Sequence, residues 1–117
     1  MKKDRPRHSN KVLIEHILHW GERIEKSLRG KSHEQFMSSA DLREACLYRL
    51  QVIGEAVNNI SHGFRRKHPE FGWERWVAFR HQLVHGYESI DLLSAFKVMT
   101  EDLPQFMAAI RELKNSL

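Results

Sequence analysis

The stretch "LREACLYRLQVIGEAVNNIS", Leu42 to Ser61, decides the fold. Leu42, Cys46, Leu50, Ile53, Val57 and Ile60 recur at threes and fours, which places them on one face of an α-helix. Ser38 or Ser39 can accept from the first free amides, so the helix should begin there and run to about Ser61. Gly54 lies inside it and costs about 1 kcal/mol relative to alanine. A glycine kept at that cost implies a second helix pressed close against it, from the same chain or across a subunit contact.

The same periodicity extends on both sides. Leu13, Ile17, Trp20, Ile24 and Leu28 predict a helix from about Asn10 to Arg29, capped by Ser9 or Asn10 and closed by Gly30. "SHEQF" has capping-box spacing between Ser32 and Gln35, which predicts a short helix to about Met37. Gly63 should end the second long helix. "RRKHPEFG" reads as a loop punctuated by Pro69 and Gly72. A third helix should run from Trp73 to His85, with Gly86 as a left-handed cap. Asp91 can cap the next helix, and Pro104 should kink or break it. The expected architecture is all-α, an up-and-down bundle of four to five helices. Residues 10–117 are expected to form one domain behind a basic, flexible tail at 1–9.

Composition narrows the function classes. The 117 residues are 41% hydrophobic and 29% charged, an ordinary globular balance. No apolar run approaches the roughly 18 residues of a membrane span. The basic start "MKKDRPRHSNK" leads into no apolar signal core, so a cytoplasmic location is expected. Lys and Arg total 19 against 15 acidic residues, a net charge of +4 that is compatible with an anionic partner such as RNA. Cys46 is the one cysteine, which excludes an intrachain disulfide and a multi-cysteine zinc site.

The chemistry concentrates in "FRHQLVHGYES", Phe79 to Ser89. Five residues from Arg80 to His85 turn a helix by about 500°, so these side chains point about 140° apart. Two routes can unite them. The chain can swing at Gly86, or a second copy can bring its own motif across a dimer axis. A histidine in the last helical turn faces the negative end of the helix dipole, which favours its protonated form. A planar guanidinium can grip a phosphate. Tyr87 offers a hydroxyl that can orient a phosphate or accept a group. Together these groups suit metal-free RNA cleavage, with the histidine moving protons and the arginine stabilising charge on phosphorus. His81 and His85, at i and i+4, also have the spacing of two metal ligands, but no acidic residue within the pair completes a zinc-protease signature.

Other residues carry two readings each. Glu55 can orient Arg80 or sit at a solvated or interface position. Arg49 can touch RNA or tie the bundle together in a salt bridge. Trp73 and Trp76, at i and i+3, fit core positions better than base-stacking ones. Arg65, Arg66 and Lys67 can contact phosphates or form a solvated loop.

"RHQLVHGY" resembles the R-x4-H-x-Y signature of the HepT-like subgroup of the HEPN superfamily, ribonuclease toxins of toxin–antitoxin pairs. "YRLQVIGEAVNNIS" with its "IGEA" core, "HPEFGW" and "IDLLSAFKVMTEDLP" resemble neighbouring family segments in the same order, covering about Lys11 to Leu113. The resemblance implies a homodimer whose two motifs line one basic cleft, and an endoribonuclease needing no metal or other cofactor. It carries Arg80 and His85 over as the catalytic pair; His81 and Glu55, beside them in the chain's own reading, are candidate supporting groups. Tyr87 matches the tyrosine that a cognate MNT-type nucleotidyltransferase antitoxin modifies with AMP. The sequence departs from the family pattern at His81, where asparagine is common, and at Gly72, where proline often precedes the tryptophan. A further departure is the acidic Glu88 after the tyrosine. A non-catalytic helical module that binds a nucleotidyltransferase is the alternative reading.

Overall fold

The computed structural model describes residues 8–117; most of the tail expected at 1–9 lies outside them. Seven α-helical segments and no strand occur among the described residues. These are α1 (Asn10–Leu28), α2 (His33–Ser38), α3 (Ala40–Asn59), α4 (His62–Lys67), α5 (Trp73–His85), α6 (Leu92–Lys97) and α7 (Leu103–Asn115). The all-α expectation stands, with more segments than the four to five anticipated. Serines start the first four helices. Ser9, Ser32, Ser39 and Ser61 each accept from a backbone amide of the first turn, and Ser32 with Gln35 closes a full capping box.

α1 packs on α3 and on α7, and α3 packs on α5. Ile14, Ile17 and Ile24 of α1 meet Leu47, Leu50, Ile53 and Val57 of α3 in one core, joined by Leu103, Met107 and Ile110 of α7. Each such side chain contributes roughly 1.5–3 kcal/mol by leaving water. Trp73 and Trp76 are buried, and the Trp73 indole N–H donates to the His68 carbonyl at 2.8 Å. Both tryptophans are thus core residues. Arg49 ties α3 to α1 by donating to the Ser27 hydroxyl at 2.7 Å and the Arg23 carbonyl at 3.3 Å, so hydrogen bonds stand where a salt bridge was expected.

Four local expectations need correction. "RRKHPEFG" is largely helical: α4 runs through Lys67 and a 3-10 turn spans Pro69–Phe71, because Ser61 caps a new helix right after α3 ends. Gly63 accordingly lies inside α4 and terminates nothing. Gly86 has φ −142° and is not left-handed, whereas Gly72, at the other end of α5, is, with φ 63°. Of the kink or break expected at Pro104, the break is absent. A π-helical turn at Val98–Asp102 joins α6 to α7, and the Leu103 amide donates to Val98, five residues back. The wider turn absorbs the donor that proline lacks, so the helix continues through it.

Candidate functional site

α5 carries the motif, and Gly54 of α3 sets how close α5 can come. A methyl group at Gly54 would meet the Arg80 side chain and stand 2.5 Å from the Trp76 carbonyl oxygen. The glycine therefore answers to a helix of the same chain. Its neighbour Glu55 uses that approach: Glu55 Oε1 lies 2.6 Å from Arg80 Nε. The contact is an ion pair more than an aligned hydrogen bond, since the Nε–H has no acceptor in line. It engages only Nε, which leaves the terminal nitrogens of the guanidinium for another anion.

His85 is the last residue of α5 and is exposed. The helix is regular to its end, where the Gly86 amide donates to the Gln82 carbonyl at 2.8 Å. Arg80 and His85 thus stay about 140° apart around the axis and about 7.5 Å apart along it. The two residues therefore leave the helix from different faces, and the swing at Gly86 does not occur. His85 instead shares a face with His81, their ring centroids 4.7 Å apart. Among the described residues, no third His, Cys, Asp or Glu joins them in a metal-binding group.

Tyr87 opens a 3-10 turn, Tyr87–Ser89, and is 48% exposed. It borders a groove of about 360 Å³ whose other walls are Glu44, Leu47, Tyr48, Gln51 and Leu83. Tyr48, 59% exposed, was not singled out from the sequence. The signal was there: an aromatic residue outside the buried stripe of α3. Tyr48 of α3, Val84 of α5 and Tyr87 of the turn after it are exposed large apolar side chains.

Two ionisable groups away from the motif are perturbed. Burial pushes the Cys46 thiol up, opposed by the Arg49 charge, which marks an inert core thiol. The Asp91 carboxyl is held below its ordinary value, chiefly by the Ser94 amide and also by the Ser94 hydroxyl and the Leu93 amide. It is the cap of α6. No helix of the described residues is long and apolar enough to cross a membrane.

Comparison with known proteins gives a consistent result. The family described as "Ribonuclease HepT-like" matches residues 17–113. A Thermococcus cleftensis protein named "Probable ribonuclease HepT" is 32% identical over 91% of this chain and 96% of its own length. A "Putative RNase" of Caldanaerobacter subterraneus is 29% identical over 97% of this chain and 96% of its own length. A Methanocaldococcus jannaschii protein, "Gamma-glutamylcyclotransferase and putative RNase", is 30% identical over 92% of this chain, which spans only 48% of that longer protein. No solved structure gives a significant match. With the family match covering most of the chain and a near-full-length relative above 30% identity, this chain belongs to the HepT-like ribonuclease family.

Proposed function

We propose that the chain is a metal-independent endoribonuclease that works as a homodimer in the cytoplasm. Arg80 and His85 of two copies line one cleft. The observation that carries this reading is the placement of the motif on α5. Arg80 is braced by Glu55, His85 is exposed, and the regular helix sets the two residues on different faces. A second copy would supply an arginine to one histidine with α5 left regular. The apolar surface at Tyr48, Val84 and Tyr87 suits that contact.

His85 of one copy takes the proton from a ribose 2′-OH. The O2′ attacks phosphorus, the P–O5′ bond breaks, and a solvent water gives its proton to O5′, so one histidine per phosphodiester suffices. Arg80 stabilises the charge that builds on the phosphoryl oxygens. The products are a 2′,3′-cyclic phosphate and a 5′-hydroxyl, so DNA, lacking the 2′-OH, resists.

The chain acts as the toxin of a toxin–antitoxin pair, and its partner is an MNT-type nucleotidyltransferase. In that reaction the Tyr87 hydroxyl attacks the α-phosphorus of ATP and pyrophosphate leaves. The added phosphate and adenosine bring negative charge and bulk beside the cleft and block RNA. The exposure of Tyr87 supports this role.

The test is cleavage of a mixed RNA in EDTA. Wild type should cut it, and Arg80→Ala and His85→Ala should not. Intact RNA together with tight binding of a nucleotidyltransferase would favour the non-catalytic binding module. Activity lost to chelator alone would favour metal at His81 and His85.

A further inference from the structure

A second basic site lies at the opposite end of α5. Arg65 is 9% exposed, yet its Nε has no hydrogen-bond partner, and among the described residues no carboxylate pairs with it. Its terminal nitrogen instead lies 3.3 Å from Nδ1 of His62. A guanidinium only donates, so that ring nitrogen accepts, and two basic side chains face each other with no counter-charge between them. An unpaired buried charge is costly, and an anion would relieve it.

The surroundings suit one. A cavity of about 190 Å³ is lined by His62, Arg65, Arg66, Pro69, Trp73 and Glu74. Trp73 and Glu74 are the first two residues of α5, a 13-residue helix whose N-terminus no side chain caps. That end carries about half a positive charge and free amides. Left-handed Gly72 turns the chain into this position. Exposed Glu74 is one carboxylate against two guanidiniums and the helix end.

We infer that the cavity between α4 and the first turn of α5 binds a phosphate group, and that its occupant is a backbone phosphate of the RNA strand remote from the scissile bond. The RNA identity rests on the nuclease reading; the phosphate specificity does not. Trp73 lies about 18 Å from His85 along the helix, so the site would hold the strand a few nucleotides from the cut. Long RNAs would engage both sites and dinucleotides only one.

Titration of wild type with inorganic phosphate, followed by amide NMR, should move the Trp73 and Glu74 amides saturably. Arg66→Gln and His62→Asn, both at exposed positions, should weaken that response several-fold while the fold persists. In a non-cleaving His85→Ala background, the salt dependence of single-stranded RNA binding should become shallower by about 0.7 in log–log slope per lost phosphate contact. Unmoved Trp73 and Glu74 amides would overturn the phosphate site. Saturable phosphate binding with an unchanged RNA slope would overturn its assignment to RNA. Failure of wild type to cleave RNA would remove the nuclease reading and leave both binding results to stand or fall on their own.

Discussion

Glu55 Oε1 stands 2.6 Å from Arg80 Nε, across an α3–α5 contact that Gly54 makes possible. The pair is partly exposed, so its direct worth to stability is small, about 0.2–1 kcal/mol. Its consequence is directional, because it fixes where the free edge of the guanidinium points. Glu55→Gln should therefore lower kcat for RNA cleavage by about tenfold, leave KM within about twofold and barely move Tm. A loss confined to KM, or to Tm, would show that Glu55 does not position Arg80.

Gly54 and Gly21 offer a paired test of packing. A methyl group at Gly54 meets the Trp76 backbone carbonyl, which cannot move without shifting α5. At Gly21 it meets the flexible end of Met107. Gly54→Ala should cost about 1–3 kcal/mol, a Tm loss of roughly 4–12 °C, and should depress cleavage because Arg80 moves too. Gly21→Ala should cost less and spare activity. Thermal melts and initial rates on both variants check this.

These two glycines also show what could be read from the chain in advance. The stripes of α1 and α3 and the limits of α5 follow from local periodicity and capping chemistry, which neighbouring residues encode. Gly54 announced a close helix, but which helix depends on how α3 and α5 cross. The Glu55–Arg80 pair spans 25 positions and inherits that uncertainty. At Pro104 the missing donor can be met by a break or by a π turn, and local sequence does not choose between them. The packing of Val98, Met99 and Leu103 into the core accompanies the second. α4 was hidden by its brevity and by the charged run Arg65–Lys67, and its cap, Ser61, reads as the end of the preceding helix.

Asp91 gives a pH dependence with a definite sign. Its carboxyl is held low in the folded chain by the Ser94 amide, the Ser94 hydroxyl and the Leu93 amide. A lowered folded value stabilises above the unfolded value of 3.8 and is lost as pH falls through the folded one. Tm should drop on acidification below about pH 4, and Asp91→Asn should flatten part of that drop. An identical acid limb in the variant would contradict the capping role.

Cys46 is fully buried and its thiol is pushed up by burial. A thiol reagent at pH 8 should therefore label native protein far more slowly than unfolded protein. Rapid native labelling, with cleavage lost as label accumulates, would show that Cys46 is accessible.

The sharing of one phosphodiester by two copies is tested most directly by mixing Arg80→Ala with His85→Ala, each inactive alone, under conditions where subunits exchange. Mixed dimers retain one intact arginine and one intact histidine on opposite chains, so cleavage in EDTA should reappear above that of either parent. Confirmed mixed dimers that leave RNA uncut would contradict it.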